Sequence, residues 1–386
     1  MEGVVLAARW RGVGGERQAA RARDVIRRWR VGKMTRKTLL AAALAAGALL
    51  TPGQAAAQDR GCVPSIRDLG TLGGDSSDVG DMSRSGWIAG RATDAAGVSH
   101  AVLWRSGTAT RITLPAPEDQ DSNAIAVNDA GVAAVNAGVL GNIAQLRTWI
   151  WRRGRATLLP TLPGGGGTAA RRINDRGDVV GNAIAADGHT HPVLWHHGEI
   201  TDLGLPAGMT DGFAFGVNDA GEVSGSVATS PDDDGELFAF TWRDGHFRIL
   251  AHGQANVIDN SGRAAGRFDD YAAELSTAAW WAPDGTLHDL GVLDADSVFP
   301  LGWILATDGR GNWAGAGSMA DGTPTAFVSR LDGPLLALPG LDGTFTSVSF
   351  AHGLDSRGDA AGESTTRAGD VHATLWTCAF AQARAL

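Results

Sequence analysis

Short apolar steps, each broken by a tight polar turn, recur along the chain. "INDRGDVVG" at 173–181 has close relatives in "VNDAGVAAV" at 127, "VNDAGEVSG" at 217, "IDNSGRAAG" at 258 and "LDSRGDAAG" at 354. Each reads as a hairpin, because Asn and Asp stabilise a tight turn and Gly supplies positive φ. Aligned on the turn glycine, the copies fall at Gly86, Gly131, Gly177, Gly221, Gly262, Gly311 and Gly358, spaced 41 to 49 residues apart. That period is typical of four-stranded propeller blades and too long for short solenoid turns.

Four segments surround each turn glycine. A small-residue strand such as "FAFGV" leads into the turn, and a second strand such as "EVSGSV" leaves it. After a variable loop, a third strand ends in tryptophan, at Trp104, Trp151, Trp195, Trp242, Trp281 and Trp376. Ser329 stands in that place in one repeat. A short Gly turn leads to a fourth strand, as in "EITDLG". A large aromatic at one point of each repeat suits packing between blades, so the tryptophans are expected in the core.

The first repeat-like segment, "SIRDLG" at 65–70, is a fourth strand with no first three before it, and the last repeat stops after its third strand. One blade is therefore divided between the two ends of the chain. A ring closes in this way without an open seam edge. The expectation is an all-β fold, a seven-bladed β-propeller of four-stranded blades over residues 58–386, closed by the N-terminal strand completing the last blade. Each repeat needs its neighbours to bury its faces.

The first 57 residues read differently. Residues 1–33 are arginine-rich without apolar periodicity, consistent with an upstream extension or a mis-called start. Met34 opens "MTRKTLLAAALAAGALLTPGQAAAQ", with a basic start, an apolar run from Leu39 to Leu50 and a small-residue end at Ala57. Residues 34–57 thus read as a secretory signal peptide, its apolar run shorter than the ~20 residues that span a bilayer. Residues 1–57 hold 11 of the 33 basic and 3 of the 42 acidic residues, leaving 22 against 39, or a net charge near −17. Both lysines, Lys33 and Lys37, fall in that segment. An acidic exported body without lysine argues against nucleic acid and anionic membrane as partners, and against membrane insertion after cleavage. It is expected to be periplasmic or extracellular, and a monomer.

Cys62 and Cys378, the two cysteines, align with His196 and His197 of the repeat "LWHHGEITDLG". They flank one turn at the seam and predict a disulfide in an oxidising compartment.

Asn174-Asp175-Arg176-Gly177, His100-Ala101-Val102, His372-Ala373-Thr374 and "DLGTLGG" at 68–74 together resemble the extracellular repeat family named for its His-Ala-Phe triplet, the HAF repeats. The likeness covers nearly all of residues 63–378. It implies a secreted bacterial propeller-like protein and no assigned activity. The Ser329 copy, "RTWIW" at 147–151 and Pro192 in place of alanine depart from the pattern.

In a propeller the first-to-second and third-to-fourth turns share one face, and the other connections share the opposite face. The first face is monotonous here. The second varies in length and composition, as binding loops on a rigid scaffold do. Its loops are acidic: Asp75, Asp78, Asp119, Asp121, Asp187, Asp211, Asp232, Asp233, Asp234, Asp269, Asp270, Asp294, Asp296 and Asp342. "PDDDGE" and "LDADS" carry oxygens for Ca²⁺, yet neither has the D-x-D-x-D-G spacing with a distant Glu, and a solvated acidic surface is the favoured reading. His189 and His191 have a spacing compatible with a metal, but His100 and His372 share the column of His191, which makes that column structural. No cofactor is expected.

Enzymatic propellers use paired carboxylates, a Tyr nucleophile or His-based proton transfer. Tyr271, the single tyrosine, lies beside Asp269, Asp270 and Glu274, but no arginine cluster accompanies it. "PGGGGT" at 163–168 lacks the Lys of a phosphate loop. The functional expectation is an exported binding or interaction scaffold for glycans or cell-envelope components rather than an enzyme. The alternatives are a glycan-cleaving propeller enzyme, hydrolase or lyase, with its site on the acidic face, and a purely structural surface protein.

Overall fold

The computed structural model describes residues 62–115, 121–230 and 236–386. The expected upstream segment 1–33 and signal peptide 34–57 lie outside the described residues, as do Asp119 and the run Asp232, Asp233 and Asp234.

The repeats fold as antiparallel hairpin stacks. The first sheet joins Gly73–Met82, Ile88–Asp94, Ser99–Arg105 and Thr108–Arg111; the second joins Ser122–Val127, Ala133–Gly138, Leu146–Arg152 and Arg155–Leu158; the third joins Thr168–Ile173, Val179–Ile184, Thr190–His196 and Glu199–Asp202. Gly302–Thr307, Asn312–Ser318, Pro324–Arg330 and Leu336–Ala337 form another. In the last, Ser65–Asp68 pairs with Val371–Thr377, which continues to Ala360–Thr365 and Ser349–Leu354. The N-terminal strand completes the C-terminal sheet, as the divided repeat predicts. The first strands of successive repeats contact one another around a closed ring, the last returning to the first.

Seven separate blades are not what forms. There are five separate four-stranded sheets and one seven-stranded sheet, in which the fourth and fifth repeats are joined. The joint is His246–Ile258, one continuous strand that pairs with Leu237–Arg243 over its first half and with Ala264–Asp270 over its second. The other connections between repeats carry Pro or paired Gly, as in "LPTLPGGGG" and "LGLPAGMT". Proline cannot donate to a ladder and stops a strand. "HFRILAHGQANVI" has no proline and a single glycine, Gly253, at φ 129°, so the chain passes from one repeat into the next without leaving the sheet.

The apolar core lies between sheets. One cluster unites Ala126, Val132 and Ala134 of the second repeat with Ile173, Val179, Val193 and Trp195 of the third. Trp104, Trp195, Trp281 and Trp376 are buried, whereas Trp151 and Trp242 are only half-buried. Trp104, Trp195 and Trp376 each donate Nε1–H to a carbonyl of the preceding repeat's outgoing connection, Leu69, Pro160 and Pro339, at 2.7–3.1 Å. In the repeat with Ser329, the aromatic has moved one strand across. Trp313 is the cross-strand partner of Ser329, fully buried, with Nε1 donating to the Leu331 carbonyl at 3.1 Å.

Cys62 and Cys378 form the expected disulfide, with Cα atoms 6.0 Å apart across 316 residues. Cys378 takes φ 53° and His197 φ 51°, so the aligned residues share a left-handed turn position. Among the described residues no helix is long and apolar enough to cross a membrane.

Candidate functional site

The recurring Asn-Asp pair does more than shape a hairpin. Asn174 Oδ1 accepts from the backbone N–H of Arg176 at 3.1 Å and of Asp178 at 2.8 Å, which fixes its own turn. Its Nδ2 donates to the Asn218 carbonyl in the next repeat at 2.9 Å. Asn128 reaches the Asn174 carbonyl and Asn218 the Asp259 carbonyl in the same way. The following residue adds a second lateral bond. The N–H of Asp129, Asp175 and Asp219 donates to the side-chain oxygen of Asp175, Asp219 and Asn260, and in the first repeat the Ser85 N–H, one place further on, donates to Asp129, all at 2.8–2.9 Å. The turn glycines sit at φ between 72° and 94° in all seven copies, a region open to glycine at little cost.

These turns surround a cavity of about 120 Å³ at the ring axis. Arg84 stands where its neighbours have Asp. Its guanidinium pairs with Asp175 and lies 3.3 Å from Asp129 and 3.7 Å from Asp219, while its carbonyl accepts from Ser356 of the last repeat. Burial works against the Arg84 charge, but the three carboxylates hold its pKa above the usual arginine value. Desolvation, with Asp129 and Asp219 close by, pushes Asp175 up. Deeper, Arg172 of the third repeat pairs with Asp81 of the first and donates to the Leu305 carbonyl of the sixth at 3.1 Å. Neither repeat adjoins the third in the ring, so the Arg172 side chain lies at the axis. Small-molecule pockets usually run ~300–1,000 Å³, and this mouth is already filled by protein cations.

A regular bulge aims these groups. Every first strand shifts register at the same place, between Val79 and Asp81, Ala124 and Ala126, Ala170 and Arg172, and onward to Ala351 and Gly353. A bulge re-aims side chains without changing composition, so the sequence gives no direct sign of it.

Near the seam a second polar group is buried. Arg91 Nε donates to Asp78 at 2.6 Å. Burial, reinforced by Asp78, pushes Glu363 up to about 8, and burial holds His352 down to about 4. Glu363 occupies the second-strand position at which Asn136 and Asn182 grip the next repeat's first strand, by accepting from the Ala170 and Ala214 N–H.

The acids expected on the loop face are spread around the ring, and most of the described ones are engaged locally. Asp187, Asp270, Asp294 and Asp342 accept from the backbone N–H two residues on, in His189, Ala272, Asp296 and Thr344. Asp211 is buried and accepts from the Thr190 N–H; Asp269 is buried, accepts from Ser276 Oγ at 2.6 Å and lies 3.1 Å from Arg267. Asp75 and Asp296 are exposed. Among the described residues no three His, Cys, Asp or Glu side chains converge to hold a metal. The histidine column pairs with carboxylates: His100 with Asp94 at 3.0 Å, His191 with Asp202 at 2.8 Å and His372 with Asp68 at 2.7 Å.

One loop-face cluster is aromatic. Tyr271 is 51% exposed, with its ring edge-on to His252 at 5.1 Å, and His252 lies 4.5 Å from Phe238. The Leu237 N–H donates to the Tyr271 hydroxyl at 3.4 Å and Glu236 lies 3.9 Å from His252. Val298 and Phe299, on the next outgoing loop, are also exposed. The lone tyrosine was legible in the sequence; its histidine neighbour, 19 residues away, was not.

No family model matches the chain, and no curated protein matches it. Solved structures do. The β-propeller domain of the Trilobed protease from Pyrococcus furiosus, described as having an open velcro topology, is 10% identical over 78% of this chain and 93% of that one, with a TM-score of 0.52. A TolB-like protein from Agrobacterium tumefaciens is 12% identical over 70% of this chain and 94% of its own, TM-score 0.43. A gluconolactonase from Xanthomonas campestris is 14% identical over 81% and 90%, TM-score 0.37. At these identities the likeness concerns the fold alone: the chain is an all-β propeller.

Proposed function

We propose that the chain is an exported binding scaffold, a HAF-type propeller that presents its loop face to a glycan or another cell-envelope component. On this reading the ring has seven blades, with His246–Ile258 belonging to both of the repeats that it joins; the seven-stranded sheet supports it. The observation that carries the reading is the Tyr271–His252–Phe238 cluster. An exposed aromatic ring flanked by carboxylates offers a pyranose both a stacking face and hydrogen-bond acceptors. Export is supported by the Cys62–Cys378 disulfide, which persists in oxidising compartments.

Incubating the protein with a panel of neutral polysaccharides and peptidoglycan, while recording thermal shift and released reducing ends in the same wells, tests this. The expected result is a shift without product for at least one glycan, reduced by at least about tenfold in affinity in Tyr271→Ala, the size of a lost stacking contact. Released product would make the protein a glycan-cleaving enzyme. A shift unchanged in Tyr271→Ala would remove the aromatic cluster from the account, and silence throughout would favour a purely structural role.

A further inference from the structure

The third-to-fourth hairpins form the outer rim of the turn face, opposite the aromatic cluster. In five repeats the last residue of the third strand is Arg or His, and in four of them the structure gives it a partner. Arg105 lies over the Trp87 ring at 4.6 Å, His196 meets Asp178 at 2.5 Å, Arg243 meets Glu222 at 2.9 Å, and Arg330 lies over the Phe380 ring at 4.4 Å. Trp87, Asp178 and Glu222 all directly follow their turn glycine. In the second repeat that position is Val132, buried and apolar, and Arg152 has no partner there.

Two more arginines share this hairpin. Arg155 is the cross-strand partner of Arg152, and Arg153 sits between them at φ 49°. All three are exposed, and none has an ion-pair or hydrogen-bond partner among the described residues. Like charges directly opposite across a strand pair are destabilising, and among the described residues nothing offsets them. The fourth strand leaving the hairpin, Arg155–Leu158, is an outer strand whose Leu158 is 49% exposed, an apolar strip beside the cations.

We propose that the hairpin of residues 152–155 is a docking site for an acidic polysaccharide, whose uronate carboxylates pair with Arg152, Arg153 and Arg155. The planar guanidinium fork matches a carboxylate with two parallel hydrogen bonds. The net acidity of the protein opposes any polyanion, but it opposes a flat membrane more than a single polymer strand. Residues 58–386 hold 22 basic and 39 acidic residues, and Asp129, Asp175 and Asp219 stand on the same face. A flat anionic bilayer would meet that acidic surface together with the arginines. A single polysaccharide strand meets only what lies within a Debye length, ~8 Å at physiological salt. This site is independent of the glycan reading of the loop face.

The test is binding of polygalacturonate to the purified protein across a salt series, beside dextran and anionic phosphatidylglycerol vesicles. Expected is binding to polygalacturonate alone, weakening with salt and falling about tenfold in the triple variant Arg152→Gln, Arg153→Gln, Arg155→Gln, the sum of three exposed ion pairs. Val132→Glu supplies the partner that this repeat lacks, and is expected to weaken binding while leaving all three arginines in place. The triple variant changes only exposed side chains, so it decides the matter if Val132→Glu fails to fold. Undiminished binding by the triple variant, binding to vesicles without polygalacturonate, or no binding at low salt would each overturn the proposal. Loss of the Tyr271-dependent glycan signal with polygalacturonate binding intact would sink only the loop-face reading.

Discussion

Trp313 and Ser329 show how far single residues carry the fold. A chain whose repeats all end the third strand in tryptophan should leave a hole where Ser329 stands, and the hole is filled from the facing strand. The sequence shows both residues; only strand register shows that they are neighbours. Trp313→Ser is expected to cost about 3–5 kcal/mol, and Ser329→Trp about 1–3 kcal/mol by overpacking. The double exchange, which restores the layout of the other repeats, should recover a measurable part of that loss in denaturant titration; strictly additive losses would contradict the swap. Glu363 and His352 give the residue scale its pH signature. Glu363 has its folded pKa raised to about 8, so it favours the folded state fully below its unfolded value near 4.5, and that contribution fades as pH rises to 8. His352 has its folded pKa lowered to about 4, so its contribution is present above 6.5 and fades as pH falls towards 4. Between pH 4.5 and 6.5 the two slopes oppose each other. Between 6.5 and 8 only Glu363 acts, and stability should fall by at most about 1.4 kcal/mol per pH unit. Glu363→Gln should be flat over that interval, and equal slopes in both proteins would refute the assignment.

At the scale of elements, the hairpins and the divided repeat were legible because they rest on turn glycines and strand order, which are local. Gly86 to Gly358 all adopt the positive φ that the pattern requires, and Ser65–Asp68 joins the last sheet as strand counting demands. The lateral role of Asn174 and Asp175 was hidden, since a hairpin signal says nothing of the neighbouring repeat. So was the joint at His246–Ile258, where the clue was an absence of proline. The bulge before Arg172 leaves no compositional trace, and with it went the axial ion pairs. The seam carries its own prediction. Residues 62 and 378 close a ring whose last sheet otherwise depends on a four-residue strand. Reduction, or Cys62→Ser, should cost roughly 2–5 kcal/mol and lower the melting temperature. An unchanged melting temperature would mean that Ser65–Asp68 holds the ring unaided.

For the whole molecule, the two faces play different parts. The turn face is locked by lateral Asn and Asp bonds and closed at the axis by Arg84 and Arg172. Rigidity there leaves the opposite loops free to vary, and variable loops on a fixed frame are suited to recognition. The acids read from the sequence as a loop-face site are mostly committed to their own turns, whereas Tyr271, Val298 and Phe299 on that face are exposed. Acidic residues were visible as a composition, but which of them are occupied depends on backbone geometry that no spacing records. Hydrogen exchange of the protein with and without a saturating neutral glycan from the panel tests the central claim most directly. Protection confined to residues 236–238, 250–254, 269–275 and 294–299 is the predicted result. Protection centred on the Asn-Asp turns around Arg84, or none on the loop face despite binding, would contradict it.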